Sequence, residues 1–262
     1  MSSRPSGRFP ADWLVPAWDA PGIGAVMTTR AGGASAAPFD SMNLREGLGD
    51  EPEAVAENQL RLQWALGGTP VWLKQVHGAT VVQLNSASDR DPAVAPSADA
   101  SFTIEPGVVC AVQVADCLPV LFAAPEGRGV AAAHAGWRGL AGGVLEASIA
   151  ALCSAAGCEP SRLQAWLGAC IGPRKFEVGA DVLEAFGADP DALAESSAFL
   201  PVRPGKWHAD LPRLARDRLH AAGLRAVSGG EWCTVEERSR FFSFRRDGVT
   251  GRMAAAVWIE RR

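Results

Sequence analysis

"VVCAVQVADCLPVLFAAPEGRGVAAAHAGWRG", Val108 to Gly139, decides how the chain folds. Two apolar runs, "VVCAVQV" and "LPVLFAA", are separated by the short Ala115-Asp116-Cys117 step, and a third, "GVAAAH", follows a "PEGRG" turn. Apolar runs of this length, bounded by Gly, Pro and Asp, read as β-strands joined by tight connections. The third run ends at His134, and "GWRG" turns the chain into "LAGGVLEASIAALCSAAG", which has the composition and length of a helix. His134 therefore falls at a strand's C-terminal end, just ahead of a helix.

Outward from this stretch the same signals repeat. Upstream, "GIGAVMTTR" (Gly22 to Arg30), "VWLKQV", "TVVQL" and "ASFTI" read as strands, with one longer loop from Asn85 to Ser97. Between the first two of these strands, "EPEAVAENQLRLQWALGG" is a helix whose N-cap is expected at Asp50, with Glu53 three residues on and a Gly-Gly stop. Downstream, "LQAWLGACIG" reads as a buried strand, "DVLEAFG" and "LPRLARDRLHAAG" as helices, and "RMAAAVWIE" as a closing strand. From Gly187 to Trp207 the pattern specifies no element. With no linker or repeat to divide it, the expectation is an irregular N-terminal segment over 1–21. A single α/β (α+β) domain of mixed sheets flanked by helices then fills 22–262.

Composition narrows the partners. The 262 residues are 48% hydrophobic, enough for a substantial core, and 25 Lys and Arg against 29 Asp and Glu give a net charge of -4. Without a basic run the chain lacks the footprint of a nucleic-acid binder, and a small uncharged or phosphorylated metabolite fits better. Neither a signal-peptide core nor an uninterrupted membrane-length apolar run is present, so the chain reads as cytoplasmic and free of the membrane. Cysteines 110, 117, 153, 158, 170 and 233 show no Cys-x-x-Cys spacing, which suits free thiols in a reducing compartment.

Only four histidines are available for chemistry. His220, near a helix end, and His208, in a polar stretch before that helix, read as solvated or capping residues. His77 in "LKQVHGAT" and His134 in "AAAHAGWRG" each end a β-like run and are followed by small residues, where sites are commonly assembled. Cys117 sits between two buried strands. Two imidazoles and a thiolate from three strand ends make a three-ligand set suited to zinc, with the fourth tetrahedral position left for water or substrate. The same atoms permit a second use, a Cys117 nucleophile with His134 as its base and Asp116 or a backbone carbonyl orienting the ring. Cationic groups for an anion are offered by Arg138 ahead of a helix, by Arg174 and Lys175 in "IGPRKFEVG", and by Arg245, Arg246 and Arg252 in "SFRRDGVTGR".

Taken together, "TTRAGGAS…FDSMNL", "LKQVHGATVV", "ADCLPVLF", "AAHAGWRGLAGGV", "GACIGPRKFEVG" and "SFRRDGVTGRMAAAVWI" resemble the bacterial laccase-domain family. That family was long described as multicopper polyphenol oxidase and later as purine nucleoside phosphorylase, with peptidoglycan editing factor among its members. The resemblance runs in order from about Gly22 to Ile259. It implies a fold similar to the catalytic domain of cytotoxic necrotizing factors and a metal site on His77, Cys117 and His134, the set that residue chemistry had selected. It further implies Zn2+ as cofactor, with copper as the alternative metal. The implied reaction is phosphorolysis of adenosine, inosine and methylthioadenosine to base and sugar 1-phosphate, with adenosine deamination beside it. Asn43, Gln75, Arg138, Arg174, Arg245 and Arg246 are the candidate substrate or phosphate contacts, in a monomer or weak homo-oligomer.

This chain departs from the family pattern where Glu57-Asn58-Gln59 replaces Glu-Asn-Arg and where Phe244 replaces the tyrosine of Ser-Tyr-Arg-Arg. Three other readings stand beside the leading one. A cysteine hydrolase would edit peptidoglycan precursors, a copper polyphenol oxidase would oxidise phenols, and a binding protein would carry structural zinc. The oxidase needs a His₂Cys copper centre plus a separate multi-histidine cluster, which four histidines do not furnish.

Overall fold

A computed structural model describes residues 9–191 and 197–261. In chain order the strands are β1 (Ile23–Met27), β2 (Pro70–Val71), β3 (Val81–Gln83), β4 (Ala100–Thr103), β5 (Val109–Val114), β6 (Leu118–Ala123), β7 (Val130–Ala135), β8 (Gln164–Leu167), β9 (Glu177–Val178), β10 (Phe199–Arg203), β11 (Lys206–Ala209), β12 (Ala226–Gly229) and β13 (Met253–Ile259). The helices are α1 (Pro52–Leu66), α2 (Trp137–Ala141), α3 (Val144–Ala156), α4 (Ala180–Ala185), α5 (Leu211–Ala221) and α6 (Phe244–Asp247). A six-stranded mixed sheet of order β12-β8-β6-β7-β4-β3 stacks on a four-stranded sheet of order β1-β13-β5-β2, and a small sheet of order β10-β11-β9 lies apart. The result is a single α+β domain of mixed sheets flanked by helices.

The strand sequences explain the stacking. In β7, Ala131, Ala133 and Ala135 belong to the core shared with α3, whereas Val130 and Ala132 belong to the core shared with β5 and β13. Side chains alternate across a strand, so β7 is buried on both faces, and its alanines let a helix and a second sheet both approach closely. Strand β5 does the same in the other sheet. Its Cys110, Val112 and Val114 face β7, and its Val109 and Ala111 face Leu62 and Leu66 of α1. By this alternation His134 points with Val130 and Ala132 into the layer between the sheets. The site lies where that layer opens.

Several expectations change in detail. Asp50 does not cap α1: its carboxylate accepts from the Glu51 N–H and the Asn43 side-chain amide, and Glu51 occupies the cap position without a side-chain bond. The Gly-Gly stop holds, with Gly67 left-handed at φ 68°. The run after His134 is two helices, because Gly142 and Gly143 (φ 91°) interrupt it. Most of "VWLKQV" is irregular, with β2 ending at Val71, since Gln75 through Gly78 turn to meet other groups described below. The stretch from Gly187 to Trp207 carries β10 and enters β11, residues 192–196 lying outside those described. Within the segment before β1, whose residues 1–8 lie outside those described, no regular element forms, yet Trp13 and Leu14 are buried and Leu14 bridges Met27. The core thus begins before residue 22.

Candidate metal centre

Three connections converge at the open end of the inter-sheet layer. His134 comes from the end of β7, Cys117 from the tight turn between β5 and β6, and His77 from the irregular stretch after β2. Their donor atoms all lie within 4.8 Å of one another. Cys117 Sγ is 3.8 Å from His77 Nε2, and the two imidazoles stand nearly edge to face, 76° apart with centroids separated by 4.8 Å. An ion about 2.3 Å from a thiolate and about 2.05 Å from an imidazole nitrogen, at a tetrahedral angle, sets those two atoms roughly 3.6 Å apart. The trio fits a metal ion, and it is the one such group of three or more among the described residues.

The backbone is bent to make this meeting. His77 (φ 62°) and Asp116 (φ 91°) are both left-handed, a conformation that costs a non-glycine residue free energy and is usually held in place by its surroundings. Asp99, fully buried just before β4, holds the first of them. One carboxylate oxygen accepts from the His77 N–H at 2.9 Å, and the other accepts from Gly78 at 2.7 Å and Val76 at 3.1 Å. The Asp116 carboxylate accepts from the Thr234 hydroxyl at 2.5 Å and the Arg245 N–H at 2.6 Å, which pins the Cys117 turn to the segment before β13. Gly136 leaves the room the ligands need. A Cβ there would lie 3.0 Å from Cys117 Sγ and 3.1 Å from His77 Cδ2.

Asp99 also sets the chemistry of His134. Its Oδ1 is 2.8 Å from His134 Nδ1, so that nitrogen carries the proton it donates and Nε2 is left facing Cys117. This carboxylate–imidazole pairing orients a metal ligand and raises its basicity. Burial alone would lower the imidazole's pKa, but the bonds to Asp99 and Cys117 raise it to about 9. Burial likewise raises the Cys117 thiol, and the bonds and charge of His134, then His77, outweigh it and bring the thiol down to about 6. Asp99 ends below the ordinary carboxylate value, its burial outweighed by His134 and the backbone N–H groups. Both shifts favour an imidazolium beside a thiolate, and a metal ion held by these residues would take the place of those protons.

Sequence reasoning missed Asp99. One aspartate in "PSADAS" carries no spacing signal, and its partners are 21 to 35 residues away in the chain. Asp116, the residue offered to orient the imidazole, instead spends its carboxylate on Thr234 and Arg245, away from the ring. The other candidates divide clearly. The Gln75 amide is committed to both backbone groups of Gln113, and the fully buried Asn43 side chain bonds Arg45, Asp50 and Arg252. Arg138 is exposed and lies over Trp137 at 4.2 Å. Arg174 forms a two-pronged ion pair with Glu236. Arg245 donates to the Glu177 carbonyl, and Arg246 is taken up by Asp247 and the carbonyls of Thr234, Val235 and Phe241. His208 lies in β11 and His220 in the last turn of α5, and neither joins the donor group.

A groove of about 1140 Å³ on the surface is lined by Arg30, Asp40, Glu236, Arg238, Arg246 and Asp247 among others, and contains none of the three ligands. Its charges are mostly paired with one another, as in Arg30–Asp40 at 3.1 Å and Arg246–Asp247 at 2.7 Å. The shifts of Glu236 and Asp247 in this groove come from their arginine partners, whereas at the trio perturbed ionisation coincides with convergent metal-ligating donors.

Stacked mixed sheets with a His-Cys-His group at their open end define the class: an α+β domain with a group that could hold one metal ion. The chain belongs to the multi-copper polyphenol oxidoreductase laccase family, whose model matches residues 24–260. It is 51% identical to the purine nucleoside phosphorylase PA4543 of Pseudomonas aeruginosa, over 95% of this chain and 98% of that one. To the purine nucleoside phosphorylase YfiH of Escherichia coli it is 49% identical, over 94% and 98%. Among solved structures, Neisseria meningitidis NMB0706 superposes with a TM-score of 0.86 at 45% identity, covering 95% of this chain and all of that one. YlmD of Geobacillus stearothermophilus gives 0.86 at 34% identity, over 95% and 96%. No described helix is long and apolar enough to cross a membrane.

Proposed function

We propose that the chain is a zinc-dependent purine nucleoside phosphorylase. It converts adenosine, inosine or methylthioadenosine, with phosphate, to base and sugar 1-phosphate, and deaminates adenosine at the same centre. The carrying observation is the intact His77–Cys117–His134 group, half open to solvent, in a chain about half identical over nearly its whole length to proteins named for that activity. A zinc ion held by His77, Cys117 and His134 would supply a Lewis acid. The protein's own part is preorganisation. Asp99 fixes the His134 tautomer, the left-handed turn at His77 aims the second ring, and Gly136 keeps the approach clear. Purified, metal-analysed protein should release hypoxanthine and ribose 1-phosphate from inosine and phosphate. No product beyond that of the His77→Ala variant would refute the reading.

The lowered thiol of Cys117 beside His134 also favours a second reading, a cysteine hydrolase acting on peptidoglycan precursors. In that case a covalent adduct on Cys117 can be trapped, metal is dispensable, and His77→Ala retains turnover. Loss of turnover on chelation, with no adduct formed, rejects it.

A further inference from the structure

Phosphorolysis needs a phosphate dianion beside the metal centre, and most of the arginines considered above are committed elsewhere. Arg252, from the same cluster, and Arg45 meet at another corner. Strand β13 runs antiparallel to β5 with Met253 opposite Val114, so Arg252, the residue before it, lies at the end of β5 that leads into the Cys117 turn. Arg45 is brought to the same corner by Asn43, whose Oδ1 accepts from the Arg45 N–H at 3.1 Å and from the Arg252 N–H at 2.9 Å. The Leu44 N–H donates to the Arg252 carbonyl as well.

Neither guanidinium has a carboxylate partner among the described residues. Glu46 accepts from the Gln59 amide, and Asp116 is spent on Thr234 and Arg245. Arg252 Nη1 donates to the carbonyls of Thr250 at 2.9 Å and Gly251 at 3.1 Å, which fixes the plane of the group and leaves Nε and Nη2 free of protein acceptors. The Thr250 hydroxyl is buried, 3% exposed, and likewise has no partner. Burial holds Arg252 below its ordinary pKa, and the charge of Arg45 lowers it further, while Cys117 and Asp116 pull the other way. Two half-buried like charges without a counter-ion are unfavourable to hold together, and an anion relieves them.

We infer that Arg45 and Arg252 form a phosphate subsite beside the Cys117 turn, an inference that rests on the phosphorylase reading. Inorganic phosphate held there attacks the sugar carbon: an oxygen–C1′ bond forms as the C1′–N9 bond breaks. The base leaves with the bonding pair, and the proton of hydrogen phosphate ends on it. The sugar 1-phosphate keeps its phosphoryl group in the same subsite.

The test uses zinc-loaded Arg45→Ala, Arg252→Ala and the charge-retaining Arg252→Lys, each checked for metal content and melting temperature. Binding of inorganic phosphate is measured by calorimetry, and initial rates by varying phosphate and inosine separately. Each alanine variant should raise the KM for phosphate about tenfold or more, the scale of a lost charge-assisted contact, with the KM for inosine within about twofold. Arg252→Lys should recover part of that loss. If Arg252→Ala does not fold, Arg45→Ala and Arg252→Lys carry the test. An unchanged phosphate KM and calorimetric constant in folded variants overturns the subsite while leaving the phosphorylase reading intact. Wild-type protein that binds phosphate through these arginines yet forms no sugar 1-phosphate overturns that reading and keeps the subsite.

Discussion

Cys110 lies near the start of β5 and Cys117 in the turn that follows its end, and both belong to or pack against the core layer between the two sheets. At the closed end Cys110 is fully buried, and burial pushes its thiol up to about 12 against a weaker pull from Ser101. At the open end Cys117 meets two imidazoles, and its thiol falls to about 6. The strand thus carries a thiol held in its protonated form, and the turn after it one shifted toward thiolate. What separates them is neighbours: Asp99 charges His134, and His134 draws the proton from Cys117.

Removing the ligands should break that contrast most severely. His77→Ala, Cys117→Ser and His134→Ala should each reduce bound metal from about one equivalent to near none and nucleoside phosphorolysis to background, because the remaining two donors do not make a zinc site. Cys110→Ala should leave metal content and rate within about twofold and cost about 1 kcal/mol of stability, an ordinary core truncation. Metal analysis and initial rates on the same preparations check both halves.

Asp99→Asn should come next in size. It keeps the shape near His134 but removes the charge, so zinc affinity should fall about 10- to 100-fold. A competitive chelator titration measures it. Affinity equal to wild type would mean that the 2.8 Å contact to His134 is structural only.

The two ionisations at the open end also make the stability of the metal-free protein depend on pH. The folded Cys117 pKa lies below its unfolded value, so its contribution to stability is present at high pH and is lost as pH falls through about 6. The folded His134 pKa lies above its unfolded value, so its contribution is present at low pH and is lost as pH rises through about 9. Melting temperature without metal should therefore peak between those values. Alkylation by iodoacetamide should follow a midpoint near 6 at Cys117 and spare Cys110, as peptide mapping by mass spectrometry would record.

The smallest effect is expected at Arg174. Its exposed pair with Glu236 is screened by solvent, so Arg174→Ala should leave phosphorolysis within about twofold and shift melting little. A large loss of rate would bring that arginine into the site after all.

How much of this was legible in the sequence follows from range. Strands β4 to β8 and β13 were readable because each is a short apolar run between turn residues, and the three ligands because each ends or separates such runs. Asp99 was not, since its role exists only through bonds to backbone N–H groups and a ring that are distant in sequence. The pairing of Arg45 with Arg252 was hidden for the same reason, with 209 residues between Arg252 and the Asn43 that joins them. The small sheet of β9, β10 and β11 escaped because "FLPVR" carries a proline and leaves four of its five residues exposed, so no buried face repeats. Capping at Asp50 failed because its carboxylate had a better offer in the Asn43 amide.

If one metal ion on His77, Cys117 and His134 makes the chain a phosphorylase, zinc titrated into metal-free protein should restore inosine phosphorolysis step by step. Activity should rise in proportion to bound zinc up to about one equivalent, with Cys117→Ser silent throughout. Full activity in the metal-free protein, or an undiminished rate in Cys117→Ser, would contradict it.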